Sequence, residues 1–289
     1  VDVLRDRVKS LESTLKGFKK ETLTDHYIRE KIIGIASESP EPPKWVIENK
    51  STQTKAVPTL FISDLHWGEV VDPSQIGGVN EYNIAIAHER LQALVNTSTQ
   101  LLDIIGGEYP GIVLALGGDM FSGSIHDELT ETNEDDIVPV FLDLYEKMIW
   151  LIESMHNIHG KVFVPCVTGN HSRTTMKMRM KGRNFTNYDW LLYCLLDRHF
   201  KDNSNINFLI PNGPDALFKI YGTRYLLTHG DAFRGGDSMI GALGPLTRGN
   251  HKKSSRNTLI DQSYDIMIVG HWHQLIQVQR LIVNGSLKG

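Results

Sequence analysis

The sequence predicts an α/β fold, and two observations lead to this prediction. From Val57 onward, short apolar runs alternate with longer segments that repeat apolar residues at helical spacing, a pattern typical of α/β domains. The chain has 289 residues, of which 40% are hydrophobic and 22% are charged. A chain of this length and composition can bury a sizeable core as an ordinary globular protein.

The first part of the chain differs from the rest. Residues 1–36 repeat apolar residues at alternating spacings of four and three, which predicts a helix and a short coiled coil. This helix either docks on its own domain or mediates self-association or contact with a protein partner. Residues 37–56 contain the proline-rich stretch SESPEPPK and are predicted to be a linker, since proline cannot continue a helix. Residues 57–289 form the predicted main domain.

The elements of this main domain follow from its apolar patterns. The strands are predicted at 59–63, 111–117, 161–167, 224–229, 265–270 and 276–283. The helices are predicted at 82–105, 138–158, 187–200 and 256–263. In the first of these helices the apolar residues line one face, as expected for a helix packed on a sheet.

Composition limits the function classes. The net charge is −4, so no global positive field marks a nucleic-acid-binding protein, and local clusters have to carry such a function. Cys166 and Cys194 fit neither a disulfide framework nor a zinc knuckle, which favours a reducing, intracellular setting such as the cytoplasm. No apolar run reaches the roughly 18 residues that a membrane span needs, so we expect no membrane association.

Five predicted strands are followed at once by side chains that can bind a metal ion. In chain order these side chains are Asp64 and His66, Asp119, Asn170 and His171, His229, and finally His271 and His273. Strand ends are where open α/β sheets build their sites. Oxygen and nitrogen donors without a thiolate suit Mn²⁺, Fe or Zn²⁺ better than Mg²⁺ or Ca²⁺. The set is too large for one four-coordinate ion but matches two ions that share a bridging carboxylate.

The last of these stretches, GHWH, contains two histidines separated by one residue. If its backbone is extended, His271 and His273 point the same way and both face the site. Trp272 then points in the opposite direction, and we expect it to pack rather than to take part in chemistry.

The polar blocks carry a resemblance to a known family. DLH (64–66), GGD (117–119), GNH (169–171), THGD (228–231) and GHWH (270–273) resemble the five signature blocks of calcineurin-like metallophosphoesterases. The resemblance covers about residues 57–288 and is nearest to the DNA-repair nuclease branch. It implies an α/β fold made of a sandwich of two mixed β-sheets flanked by helices.

The resemblance also implies roles for the polar residues. Asp64, His66 and His273 would hold one metal ion, Asp119 would bridge, and Asn170, His229 and His271 would complete the second site. His171 would protonate the leaving oxygen or stabilise charge on the phosphoryl group. The nucleophile would be a metal-bound hydroxide. Of two divalent ions, Mn²⁺ is expected first, with Fe or Zn²⁺ as alternatives.

Two basic segments without acidic residues, 171–183 and 238–260, favour a nucleic-acid substrate, because they leave strand ends that carry predicted ligands. Both segments can instead be ordinary solvated loops. The predicted substrate-binding cations are Arg173, Lys177, Arg179, Arg183, Arg248, Lys252 and Lys253. These observations predict a metal-dependent hydrolase of phosphodiester bonds, with a DNA nuclease favoured.

Two departures from the family pattern keep other functions open. Ser122 stands where a histidine often follows the second block, and Ser172 stands where an acid usually follows the third. One alternative is a nucleotide or cyclic-nucleotide phosphodiesterase, or a phosphoprotein phosphatase. Another is a non-catalytic scaffold subunit of a nucleic-acid-processing assembly.

Overall fold

A computed structural model describes residues 41–48, 56–125, 131–179, 181–235 and 241–289. The chain divides into two units, Val1–Glu38 and Ser39–Gly289, and the described residues all belong to the second. The predicted N-terminal helix over residues 1–36 therefore lies outside the described residues. The proposed domain boundaries stay predictions.

Helices and strands alternate through the described part of the chain. The helices are α1 (Lys44–Ile47), α2 (Ile84–Ile105), α3 (Ile137–His159), α4 (Tyr188–Phe200) and α5 (Leu243–Leu259), with short 3-10 turns at Pro73–Gln75 and Asn184–Thr186. The strands are β1 (Thr59–Ile62), β2 (Ile112–Leu116), β3 (Val162–Pro165), β4 (Ile206–Leu209), β5 (Asp215–Ile220), β6 (Thr223–Thr228), β7 (Ile266–Val269), β8 (Ile276–Val278) and β9 (Leu281–Val283).

The first sheet has the order β1-β2-β3-β4 and all its pairings are parallel. Parallel neighbours need crossover connections, which α2, α3 and α4 supply. Every residue of β2 is buried, as expected for a parallel strand covered on both faces. The helices cover one face of this sheet through a core that includes Leu114, Leu144 and Leu192.

The second sheet has the order β5-β6-β7-β9-β8, with β5 and β8 antiparallel to their neighbours at its two edges. It faces the first sheet across a core in which Val113 and Phe163 pack with Phe218, Leu227 and Ile268. On its other face, α5 contributes to a third cluster. The predicted α/β sandwich of two sheets flanked by helices is confirmed, and of the two sheets the second is the mixed one.

Two expectations for individual elements were wrong, and two strands were missed. The segment 276–283 is not one strand but the hairpin β8–β9, because Arg280 adopts a left-handed φ of 63° between them. Strands β4 and β5 were not predicted at all. The helix expected at 256–263 instead spans Leu243–Leu259, so most of the basic segment 238–260 is helical rather than a loop. Its polar sequence hid this, although Pro245 lies in the first turn, where proline is tolerated.

The structure bears only in part on the predictions of no membrane association and of a reducing, intracellular compartment. None of the described helices is long and apolar enough to cross a membrane. Cys166 and Cys194 are free thiols, and both are buried. The intracellular compartment itself stays a prediction.

Candidate metal centre

The predicted ligands meet at one end of the two facing sheets. Hydrogen bonds beyond the strand ends continue the β1–β2 pairing: Asp64 N–H donates to Gly118 O at 2.9 Å and His66 N–H to Asp119 O at 3.1 Å. The second sheet joins them through His229, whose Nδ1 lies 2.9 Å from Gly117 O. The carboxyl ends of β1, β2, β3, β6 and β7 therefore deliver their side chains to one place.

A first group of possible metal ligands consists of Asp64, His66 and His273, whose ligand atoms all lie within 4.8 Å of one another. His66 Nε2 and His273 Nε2 are 3.1 Å apart, and His273 Nε2 is 3.4 Å from Asp64 Oδ1. Asp64 and His66 are buried, whereas His273 lies partly exposed at the rim. These three residues are the set that the sequence assigned to one metal ion.

A second group consists of Asp119, His229 and His271, again within 4.8 Å. His229 Nε2 lies 2.9 Å from Asp119 Oδ2 and 3.2 Å from Asn170 Oδ1. The structure thus brings Asn170 to the ligand set for which it was predicted. Asp119 also lies in a third group with His66 and His171, so its carboxylate stands between the other two groups.

The Asp119 carboxylate is suited to a bridging role. Its Oδ1 accepts a hydrogen bond of 2.6 Å from His171 N–H. Its Oδ2 is buried and has no hydrogen-bond partner among the described residues, although His229 Nε2 lies close by. Buried polar atoms are nearly always satisfied, and an exception calls for an explanation such as an absent ion. The donor set, oxygen and imidazole nitrogen without thiolate, fits a divalent transition metal.

His171 stands beside these groups. Its ring packs edge-on against the His66 ring, with centroids 4.6 Å apart. Its Nδ1 lies 3.1 Å from the carbonyl oxygen of Ser122, which is positioned to accept a hydrogen bond from this nitrogen. Ser122 itself, at the position where the family often has a histidine, is fully buried and supplies this backbone acceptor.

The electrostatics of the centre are strongly perturbed. Burial lowers the pKa of His66 to about 3, despite the nearby Asp119 charge. Burial would also lower the pKa of His229, but the contact with Asp119 dominates and raises it to about 10. Burial opposes ionisation of Asp119, yet the surrounding imidazoles, His229 foremost, keep its pKa below its usual range. The site therefore holds a buried carboxylate whose charge the surrounding imidazoles stabilise.

The backbone at the centre is unusual. Five of the predicted ligands have positive φ, a region that non-glycine residues seldom adopt. The angles are 55° at Asp64, 47° at His66, 51° at Asp119, 70° at His271 and 51° at His273. The expectation that GHWH is extended was therefore wrong: the two histidines share the site because left-handed turns redirect them. Trp272 packs against the core cluster under α5.

Asp189 is a residue of the site that the sequence did not single out. It lies in the first turn of α4 and is fully buried. Its carboxylate accepts hydrogen bonds from the backbone N–H groups of Asp119 (3.0 Å), Met120 (3.1 Å) and Gly169 (2.8 Å), and from the Ser172 hydroxyl. Burial and the Asp119 charge raise its pKa to about 6. Asp189 thus ties the second and third blocks together, and Ser172 serves it as a donor.

Close backbone approach also shapes the centre. A Cβ at Gly169 would lie 2.0 Å from Asp119 Oδ1, far inside van der Waals contact. A Cβ at Gly270 would lie 2.7 Å from Asp64 Oδ2. Glycine is therefore required at both positions for the carboxylates to sit where they do.

The chain beyond β9 forms hydrogen bonds with the residues that follow β1. Ser286 Oγ donates to Asp64 O at 2.7 Å, and Asn284 Nδ2 donates to Ser63 Oγ at 3.1 Å. These contacts hold the end of β1 against the second sheet.

The predicted substrate-binding cations of the 171–183 segment have different surroundings. Arg183 Nη1 lies 2.8 Å from Asp231 Oδ2, and both side chains are largely buried. Arg173 donates to the carbonyl oxygens of Asn170, Thr175 and Met176, so it braces its own loop. Lys177 and Arg179, in contrast, are exposed.

The cations of α5 divide in the same way. Lys253 Nζ lies 2.5 Å from Asp215 Oδ1, so an acid already neutralises it. Arg248 and Lys252 are exposed and line a cavity of about 350 Å³. Arg234 and Arg256, which were not among the predicted binding residues, line the same cavity. Arg256 lies on α5, whose start the sequence did not predict, and Arg234 precedes this helix.

No family model and no curated protein matches the chain. Solved structures that overlap with it include vacuolar protein sorting 29 of Entamoeba histolytica complexed with zinc, at 13% identity over 80% of this chain and 75% of that chain, with a TM-score of 0.31. Vacuolar protein sorting 29 of Cryptosporidium parvum overlaps at 13% identity over 79% and 73%, with a TM-score of 0.31. A conserved Streptococcus pneumoniae protein, described as a predicted phosphoesterase, overlaps at 13% identity over 79% and 71%, with a TM-score of 0.27.

The observed architecture agrees with the resemblance that the sequence motifs carry. Two facing sheets lie between helical layers, and the five blocks meet at the carboxyl ends of their strands. The described residues form the α/β sandwich of two sheets flanked by helices that the motif resemblance implies.

Proposed function

We propose that the chain is a hydrolase that uses two divalent metal ions to cleave phosphodiester bonds in nucleic acid. The observation that carries this proposal is the position of Asp119, which belongs to two of the three groups of possible ligands and whose buried Oδ2 lacks a hydrogen-bond partner among the described residues. A carboxylate that stands between two ligand sets is what a dinuclear centre needs.

The proposed ligands divide between two ions. Asp64, His66 and His273 would hold one ion. His229, His271 and Asn170 would hold the other, and Asp119 would bridge. When bound, such ions lower the pKa of coordinated water and neutralise charge on a phosphoryl group. Mn²⁺ is our first choice, and Fe and Zn²⁺ fit the same donors.

His171 is the proposed proton donor to the leaving oxygen. The Ser122 carbonyl oxygen, 3.1 Å from Nδ1, can accept a hydrogen bond from this nitrogen and so orient the ring. The backbone N–H of His171 donates a hydrogen bond to Asp119 Oδ1. This bond fixes the distance between the proposed proton donor and the proposed bridging carboxylate. A positioned acid of this kind contributes roughly 10²–10⁴-fold to the rate.

A nucleic-acid substrate is supported by exposed cations on segments that leave the centre. Arg179, Arg248 and Lys252 are exposed and lie on segments that follow strands carrying proposed ligands. A small phosphoester would need no such cations outside the metal centre. The alternatives, a nucleotide or phosphoprotein substrate and a non-catalytic scaffold, are decided by experiment.

The test is hydrolysis with added Mn²⁺ of linear duplex DNA, single-stranded DNA, a cyclic dinucleotide and a phosphomonoester. Wild type is expected to cleave at least one DNA substrate. His171→Ala is expected to lose about 10²–10⁴-fold in rate while it keeps its metal content. The matched control is His199→Ala, an exposed histidine at the far end of α4.

Each other outcome rejects a defined part of the proposal. Activity on the monoester alone would reject the nuclease. No activity, with two ions bound per chain, would favour the scaffold. Loss of rate in His199→Ala equal to that in His171→Ala would remove the specific role of His171.

A further inference from the structure

A pocket on the second sheet's side of the molecule is lined by cations from two segments. Its volume is about 350 Å³, and its walls include Arg234 from the loop after His229 and Arg248, Lys252 and Arg256 from α5. Lys253, which also lines it, is paired with Asp215. Among the described residues, no carboxylate lies within ion-pair distance of the other four.

The three cations of α5 form one row. Arg248, Lys252 and Arg256 follow each other at intervals of four residues, which places them on one face of the helix. Like charges at this spacing destabilise a helix slightly, so the row is unfavourable unless an anion lies on it. With a rise of about 1.5 Å per residue, the row extends about 12 Å, and phosphates of one nucleic-acid strand recur about every 3.4 Å along a duplex axis.

The pocket lining also contains apolar residues, which distinguishes it from a site for a bare anion. Phe233 and Pro245 lie among the lining residues. The Phe233 ring packs so closely on α5 that a Cβ at Gly249 would be 2.4 Å from its Cδ1. A lining that combines apolar and cationic side chains matches a nucleotide unit, whose base is planar and whose phosphate is charged. Arginine suits phosphate because its guanidinium can form two parallel hydrogen bonds.

The pocket is linked to the candidate metal centre by a short stretch of chain. Arg234 follows His229 by five residues, so their Cα atoms lie within about 18 Å of each other. The turn between them is fixed by a hydrogen bond of 2.9 Å from Phe233 N–H to Gly230 O. It is also fixed by the Asp231–Arg183 ion pair. A strand with one phosphodiester at the metal centre can therefore reach the pocket within a few nucleotides.

We propose that this pocket binds a nucleotide unit of the substrate strand outside the metal centre, with its phosphates on the row Arg248, Lys252 and Arg256. This inference rests on the proposed function and sharpens it: the substrate is a polynucleotide strand held at a second point, not an isolated phosphate ester.

The test measures binding without cleavage. A labelled single-stranded DNA of about 12 nucleotides is titrated by fluorescence anisotropy in EDTA, with wild type and with the triple variant Arg248→Gln, Lys252→Gln and Arg256→Gln. The triple variant is expected to bind about 10- to 100-fold more weakly at low salt. Its plot of log affinity against log salt concentration is expected to be shallower by about 2, for three lost phosphate contacts.

A matched control separates this row from general charge. The variant Lys161→Gln, Lys201→Gln and Lys219→Gln removes the same number of exposed cations at the opposite ends of the strands. It is expected to bind the DNA like wild type. Equal affinity loss in both triple variants would overturn the proposal, and so would wild-type affinity in the α5 variant.

Two further measurements test whether the α5 variant is folded and whether binding requires a DNA strand. Thermal melting checks folding, and the α5 variant is expected to melt no lower than wild type because it loses like-charge repulsion. If the α5 variant does melt lower, the same DNA titration is made with Arg234→Gln, which lies outside the helix. Weaker DNA binding by this variant would support the pocket, and wild-type affinity would overturn it. Displacement of the DNA by a nucleoside monophosphate at the DNA's own concentration would also overturn the proposal, since a strand would then have no advantage.

The outcome is independent of catalysis. DNA binding that depends on the α5 row, without any hydrolysis in Mn²⁺, keeps the pocket and rejects the proposed function. Hydrolysis of DNA by wild type, with DNA affinity unchanged in the α5 variant, keeps the function and rejects the pocket.

Discussion

His229 Nε2 lies 2.9 Å from Asp119 Oδ2, and each side chain is only 1% exposed. His229 ends a strand of the second sheet and Asp119 follows a strand of the first, so this contact joins the two sheets at the centre of the candidate site. Both side chains are shielded from water, so we expect a metal ion bound beside them to affect the free energy of unfolding. The predictions below follow from this contact and its neighbours.

Divalent metal is expected to stabilise the folded protein. Ligands that bind the native state alone add about 2.7 kcal/mol to the free energy of unfolding at 100 times their Kd. For a domain of this size that amounts to about 5–10 °C in melting temperature. We expect this rise when Mn²⁺ is added to EDTA-treated wild type, measured by calorimetry. Asp119→Asn, with a neutral side chain at the proposed bridge, is expected to lose most of the rise, whereas the exposed Asp202→Asn is expected to keep it. An unchanged rise in Asp119→Asn would contradict the bridging role.

Gly169→Ala is expected to disturb the centre without replacing a proposed ligand. The new Cβ would lie 2.0 Å from Asp119 Oδ1, so the carboxylate or its loop has to move. We expect a destabilisation of about 1–3 kcal/mol, together with weaker metal binding. Gly213→Ala is the matched control, because a Cβ there meets no atom within 4 Å. Metal content by elemental analysis and urea denaturation check both variants, and normal metal content in Gly169→Ala would argue against the close packing described here.

Asp189 is expected to position the loops rather than to bind metal. In Asp189→Asn the amide nitrogen replaces one acceptor oxygen, so at least one backbone N–H at Asp119, Met120 or Gly169 loses its partner. A buried unsatisfied donor costs about 1–3 kcal/mol. We expect this loss in the free energy of unfolding, and a smaller one in Ser172→Ala. Asp197→Asn on the same helix is the control. A variant as stable as wild type would show that these hydrogen bonds carry no net stability.

Arg183 and Arg179 are expected to differ although both belong to the basic segment. Arg183 is paired with Asp231, so Arg183→Gln and Asp231→Asn should each lower the stability by about 1–3 kcal/mol. Their double mutant should show a coupling of about 0.5–3 kcal/mol. Exposed Arg179→Gln should leave stability within about 0.5 kcal/mol of wild type while it weakens DNA binding. Independent, additive effects at Arg183 and Asp231 would rule out the ion pair as a structural link.

Much of the fold and most of the proposed ligand set could be predicted from the sequence. The block around His229 follows a strand of the second sheet. The blocks around Asp64 and Asp119 follow neighbouring parallel strands, whose carboxyl ends lie at the same edge of the first sheet. That argument needs only the order of polar and apolar residues. It also gave Asn170 a place near His229, and the two lie 3.2 Å apart.

The rest depended on information that patterns do not contain. Asp189 lies in a helical run of mostly apolar residues, and no spacing links it to the block it supports 70 residues earlier. The helix α5 begins at Leu243, well before the predicted start at 256, and the sequence did not predict this earlier part because its exposed face is polar and it contains Gly244, Pro245 and Gly249. The pairing of Arg183 with Asp231 joins segments 48 residues apart, so its charge looked available in the sequence.

The left-handed backbone at Asp64, His66, Asp119, His271 and His273 restricts which amino acids these positions accept. Branched side chains are strongly disfavoured at positive φ, whereas Gly, Asn, Asp and His are the residues that tolerate it best. Three of these four amino acids can bind a metal. A library randomised at the five positions and selected for folding alone should therefore be enriched in the same few residues. The backbone would thus restrict substitutions at these positions to a few amino acids, most of which can still bind a metal ion.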